Sequence, residues 1–181
     1  MNDKEIYQIL EGVSPKFFGL GFIQCKINEK ERIHFYHPDL KPTVNSLEEI
    51  HNHRYDFVSK ILRGSINNKM YHFFDSRENT HYKQSESCNE NIKIEDNNKE
   101  LGFISLFSDL THKTNETYSL HHTNFHTIET DFCITHLKRT IYKKEFADVV
   151  RPIDGKVICP FEKKLSQDDC WTIIKECIEI N

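Results

Sequence analysis

An all-β fold of antiparallel strands, led by one short helix and closed by another, is what this sequence predicts. Three observations carry the reading. Between about residues 17 and 160, apolar runs and polar–apolar alternations recur at close intervals with polar turns between them, the pattern of a sandwich or small barrel rather than of alternating βα units. A helical period appears only near the two ends. A chain of 181 residues with 37% hydrophobic content, 13 Phe and 7 Tyr can build one core.

In chain order, residues 3–13 place Ile6, Ile9, Leu10 and Val13 at helical spacing, and Gly12 with Ser14-Pro15 ends the pattern. From Phe17 the period moves toward two, so that 21–27 and 31–37 read as a hairpin around Asn28-Glu29-Lys30. His37 to Pro42 breaks regular structure and leads through a polar loop to residue 50. Residues 57–63 read as a strand, Gly64-Ser65 as a turn, and 66–75 as the antiparallel successor. Further strands are expected at 80–88, 90–95, 101–108, 117–121, 124–130 and 131–137, the last two paired with each other. The Asn-, Glu-, Lys- and Ser-rich stretch 77–100 is expected to hold mobile loops. Ser166 to Asp169 is a capping-box candidate for a helix over about 166–179, in which Cys170, Trp171, Ile174, Cys177 and Ile178 share the face that packs on the outside of the sheet. No internal repeat or linker interrupts the chain, so one domain over 1–181 is expected.

The net charge of −4, with no run of four Lys or Arg, argues against nucleic acid and membrane surfaces and favours small-molecule or protein partners, a small-molecule substrate being expected. No apolar stretch approaches the ~18 to 20 residues that span a bilayer, and the N-terminal residues do not read as a signal sequence, so a cytoplasmic protein is expected. Cysteines 25, 88, 133, 159, 170 and 177 are scattered without a Cys-x-x-Cys pair, as free thiols are. Open strand edges in such folds commonly pair between subunits, which allows a homodimer.

The residues that carry chemistry begin with His51-Asn52-His53. In extended backbone, side chains at i and i+2 share a face, so both imidazoles can address one transition metal. On the same parity Tyr55, Phe57, Ser59 and Ile61 point inward as a pocket wall, while Asp56, Val58 and Lys60 point away. The favoured third ligand is His126, at the start of a late strand. Its rivals are His121 and His122, which as neighbours must face opposite ways in a strand, so that at most one lines the site. Asp56 is a further candidate, giving a two-His plus carboxylate site if the strand begins after it. Arg32, His34 and Tyr36 share one face of their strand, and Ile33, Phe35 and His37 the other. Turned inward, the polar trio offers Arg32 as a clamp for carboxylate or phosphate and His34 or Tyr36 as proton-transfer partner. A half-buried strand favours the reverse, with Ile33 and Phe35 on the core and the trio in solvent. Tyr118 is a further pocket candidate.

On these residues the chain resembles the cupins, a superfamily of antiparallel jelly-roll barrels. Their first motif runs Gly, five residues, His-x-His, three or four residues, Glu, six residues, Gly. His51, His53 and Gly64 fall on it, with Asn45 in place of the first glycine and Phe57 in place of the glutamate. His126 matches the histidine of the second motif, whose Pro-x-Gly portion is missing. The resemblance spans about residues 32–137 and implies a double-stranded β-helix. Lacking the glutamate, the chain is similar to three-histidine cupins such as the thiol dioxygenases, in which a short hydrophobic-then-Glu segment like His126-Thr-Ile-Glu129 follows the third histidine. There the iron leaves three positions open for substrate thiolate, amine and dioxygen. The interval from His53 to Gly64 is one residue shorter than in that group, and its Cys–Tyr crosslink has no counterpart here. The implied function is a mononuclear metal enzyme, preferentially Fe(II) with Zn, Mn or Ni as other choices, acting as a dioxygenase on a small polar substrate. The alternatives are a non-catalytic cupin that binds or senses a small ligand, and a metal-independent sugar isomerase or epimerase in which His51 or His53 is a base beside a tyrosine.

Overall fold

The computed structural model describes residues 1–42, 50–77, 79–86, 99–155 and 164–180. Helix α1 (Asp3–Leu10) opens on a capping box, Asn2 Oδ1 accepting from Glu5 N at 3.0 Å and the Glu5 carboxylate accepting from Asn2 N at 2.8 Å. The strands follow as β1 (Pro15–Phe18), β2 (Phe22–Lys26), β3 (Glu31–Tyr36), β4 (Ile50–His51), β5 (Phe57–Asp75), β6 (His81–Glu86), β7 (Glu100–Lys113), β8 (Thr117–Leu120), β9 (Phe125–Glu129), β10 (Cys133–Arg139) and β11 (Ala147–Pro152). Helix α2 (Gln167–Glu179) ends the series, with Ser166 Oγ accepting from Asp169 N.

All pairings are antiparallel, and they sort into two sheets joined through β5. The first runs β1-β2-β3-β10-β5-β8. In the second, hydrogen-bond ladders pass from β5 through β7, β6, β11, β4 and β9 and return to β5. The helices cover the outer face of the first sheet: Ile23, Ile33 and Phe35 pack with Ile6, Leu10, Ile174, Cys177 and Ile178 in one buried cluster. Its inner face gives a second cluster that includes Tyr36, Phe57, Ile61, Tyr118 and Leu137. Ile50, Tyr71, Phe125 and Val150 form the core of the second sheet. Cys25, Cys133, Cys170 and Cys177 are buried and unbridged, as expected of free thiols. Among the described residues no helix is long and apolar enough to cross a membrane.

Two expectations are corrected at one corner. Gly64-Ser65 is not a hairpin turn. β5 runs through it, pairing with β8 and β10 before the glycine and with β7 and β9 after it. Gly64 has φ 72°, and a Cβ there would stand 2.2 Å from the Phe132 carbonyl oxygen, so the glycine bends the strand from one sheet into the other. Nor does β9 pair with β10. Residues 130–132 carry the chain between sheets and are pinned to the corner, Thr130 Oγ1 donating to Ser65 O at 2.7 Å and Ser65 N to Phe132 O at 3.4 Å. Strands β1, β4 and β11 had no expectation of their own. The stretch expected to be mobile contains β6. The strand expected at 90–95, together with Asn45, Cys88 and Cys159, lies outside the described residues.

Gly64→Ala is expected to cost about 3 kcal/mol or more, because it combines a left-handed φ with a backbone collision. Gly12→Ala, where φ is 74° but nothing lies within 4 Å, is expected to cost only about 1 kcal/mol. Urea denaturation of both variants measures the difference; equal losses would contradict the corner.

Candidate metal centre

Two segments deliver the histidines. His51 ends β4 and stands directly opposite His126 of β9, which in turn pairs with Met70 of β5. His53 lies two residues past His51, beyond the end of β4, yet the parity expected of extended backbone holds. The ring centroids form a nearly equilateral triangle, with His51–His53 5.1 Å, His51–His126 4.9 Å and His53–His126 5.1 Å. His53 Nε2 and His126 Nε2 are 2.9 Å apart, and one ligand nitrogen from each of the three residues lies within 4.8 Å of the others. Ligands ~2.1 Å from a common ion stand about 3.0 Å apart at right angles and about 3.4 Å apart in a tetrahedron. The 2.9 Å between His53 and His126 matches the first of these separations, and the three imidazoles together form a donor set able to hold a transition ion.

Two supports orient these rings, and neither was read from sequence. Asn68 of β5, 2% exposed, accepts from His126 Nδ1–H at 3.0 Å. That bond fixes the tautomer and leaves Nε2 with its lone pair toward the other imidazoles. Behind the His-x-His segment, buried Asn52 accepts from Lys144 Nζ at 2.8 Å and Asp148 N at 2.7 Å, and donates to Asp148 Oδ2 at 2.9 Å. Ser85 Oγ donates to the other Asp148 oxygen at 2.7 Å. Burial alone would raise the Asp148 pKa, but the bonds from Lys144, Ser85 and Asn52 hold it below its ordinary value.

A cavity of about 130 Å³ opens beside the triad, its wall including Phe22, His34, Tyr36, Phe57, Tyr118 and Leu137. Burial holds His53 and His126 well below the usual imidazole pKa, and neighbouring positive groups add to the effect. Burial, and secondarily the Arg32 guanidinium, pushes His34 down to about 3. The Tyr36 and Tyr118 phenols are raised by burial. His34 Nε2–H and Arg32 Nη1 both donate to Gln24 Oε1, at 3.3 and 2.9 Å. Arg32 lies over the Tyr55 ring at 5.4 Å, and its buried Nε has no hydrogen-bond partner among the described residues.

Several candidates are placed differently from expectation. The choice between a polar and an apolar inward face of β3 does not arise, because both faces are buried: Ile33 and Phe35 under the helices, His34 and Tyr36 on the cavity. Arg32 stands beside the cavity rather than on its wall. Of the expected wall residues Phe57 lines the cavity, whereas Ser59 and Ile61 are buried on the same inward parity without reaching it. Asp56, His121 and His122 do not join the triad. They gather separately, Asp56 Oδ1 accepting from His122 N at 2.8 Å and His122 Nδ1 at 2.7 Å. His121 and His122 sit in a turn, with rings 4.2 Å apart, so the opposition required of a strand does not apply. No protein-family model matches the chain, and no curated protein matches it.

Unfolded, His34 titrates near 6.5, and folded near 3, so below pH 6.5 the unfolded chain binds the extra proton. Its contribution is present above pH 6.5 and is lost progressively as pH falls toward 3, at about 1.4 kcal/mol per pH unit. His34→Leu is expected to reduce the slope of unfolding free energy between pH 6 and 4 by about that amount in urea titrations. Identical slopes for variant and wild type would contradict a neutral buried His34.

Proposed function

We propose that the chain is a mononuclear metal enzyme of the three-histidine cupin type, an Fe(II)-dependent dioxygenase of a small substrate, with His51, His53 and His126 as ligands. The observation that carries this reading is the convergence of three imidazoles, delivered by two segments of the chain, beside one largely apolar cavity. Two antiparallel sheets sharing a glycine-bent strand also agree with a jelly-roll barrel.

Iron, when bound, would supply dioxygen activation and a template for the substrate. The chain's own residues do the rest. Asn68 presents the His126 lone pair, and the Asn52–Asp148–Lys144 node keeps the His51–His53 segment in place. Phe57, its ring 4.9 Å from that of His53, makes the adjoining wall apolar and offers no carboxylate. Tyr36 and Tyr118 retain their protons and can each donate a hydrogen bond to a bound substrate. Arg32, whose buried Nε–H has no hydrogen-bond partner among the described residues, supplies positive potential for an anionic group on the substrate. A metal-independent isomerase is the second reading, favoured by one observation: 2.9 Å between His53 Nε2 and His126 Nε2 also suits an N–H···N hydrogen bond with no ion between them.

Protein purified without chelator is expected to hold about one iron per chain and to lose it in His51→Ala with His53→Ala. Asn68→Ala is expected to weaken iron binding roughly 10- to 100-fold. Folded protein that takes up no transition metal under any loading condition would overturn the metal reading in favour of the isomerase. Dioxygen consumption by iron-loaded protein with thiols, small acids and sugars then tests turnover. Silence across that panel, with ligand-induced thermal stabilisation, would make the chain a sensor rather than an enzyme.

A further inference from the structure

Asp56, His121 and His122 lie apart from the buried triad but on the two segments that supply it. Asp56 follows His53 by three residues, and His121 and His122 lead into β9, which bears His126. Their donor atoms lie within 4.8 Å of one another. His122 Nδ1 is 2.7 Å from Asp56 Oδ1, and His121 Nε2 is 3.7 Å from the same oxygen. The His121 ring is set by its other nitrogen, Nδ1, which shares a hydrogen bond of 2.8 Å with Thr123 Oγ1, so Nε2 is the atom left facing the carboxylate. An outer partner on one imidazole nitrogen with the second aimed at a common point is how histidine ligands are held. The backbone of Asp56 is anchored as well: Thr140 N donates to the Asp56 main-chain carbonyl at 2.8 Å. The His121 side chain is 56% exposed, against 28% for Asp56 and 22% for His122, so an ion can arrive from solvent and keep water ligands.

We propose that Asp56, His121 and His122 form a second cation site, for a divalent ion of the Zn(II) or Ni(II) kind, that clips together the segments bearing His53 and His126. Two neutral imidazoles and one carboxylate suit such ions. On binding, the proton that His122 Nδ1 shares with Asp56 moves to Nε2 or to solvent, and the carboxylate accepts the metal in its place. Without an ion the same atoms only cap the turn at residues 121–124, through the bond from His122 N to Asp56. The site draws on no atom of the buried triad, so it stands or falls independently of the proposed enzyme.

The test is calorimetric titration of the chelator-stripped full chain with Zn(II), with circular dichroism to confirm folding. The expected result is two equivalents for wild type, one for His51→Ala with His53→Ala, and one for His121→Ala with His122→Ala. Asp56→Asn, which keeps an acceptor for the His122 amide, is expected to weaken the second equivalent at least tenfold. If the 121/122 variant binds as many equivalents as wild type, the second site is overturned. If the folded 51/53 variant binds one equivalent and the 121/122 variant none, the second site stands and the buried metal centre falls. Should the 51/53 variant not fold, the comparison of wild type with the 121/122 variant decides alone.

Discussion

Because Gly64 turns β5 where any Cβ would strike the Phe132 carbonyl, a single strand serves both sheets, and the candidate centre is assembled around it. Before the corner, β5 contributes Phe57 to the cavity wall. After it, β5 contributes Asn68, which orients His126. The crossing at residues 130–132, pinned to Ser65, then sends β9 and β10 to opposite sheets. A side chain at position 64 would push apart the elements whose spacing sets the triangle of imidazoles, so the corner constrains fold and site together.

The second constraint is electrostatic. His34, His53 and His126 are all held neutral by burial, and an imidazole kept neutral inside a protein either satisfies its nitrogens with hydrogen bonds or offers a lone pair to an ion. His126 does the first through Nδ1 and leaves Nε2 for the second. His34 gives Nε2–H to Gln24, which also receives Arg32. His34, His126 and the Arg32 Nη1 group are thus tied to neighbours, while much of the cavity wall is aromatic or aliphatic. That arrangement suits the proposed oxygenase, whose reactive centre must be shielded from bulk water.

The His-x-His pair was legible because alternation in extended backbone is a local rule that survived even though β4 stops at His51. His126 was legible as an imidazole opening a strand. The parity that placed Phe57 inward and Val58 outward also held, Val58 being 48% exposed. Asn68 and Asn52 were not legible, because their partners lie 58 and 96 residues away in sequence and meet them only through strand register. Gly64 misled because a glycine followed by serine has the local chemistry of a turn, and only the collision with Phe132 identifies a bend within one strand. β4 is two residues long and β11 carries Asp148, Arg151 and Pro152, so neither shows the alternation that marks a strand. The two alternatives for β3 proved compatible, His34 and Tyr36 facing the cavity and Ile33 and Phe35 a second core, because strand patterns assume one wet face and the helices that cover its outer side are encoded at the far ends of the chain.

The proposed inner centre and the proposed surface clip differ in what surrounds their donors: the first has buried His126 oriented by Asn68 and a largely apolar cavity alongside, the second has His121 largely exposed to solvent. X-ray absorption at the iron edge, on wild type loaded with one equivalent and on His126→Ala, tests the central claim most directly. Three imidazoles per iron in wild type and two in the variant are the expected result. An imidazole count that His126→Ala leaves unchanged would contradict it.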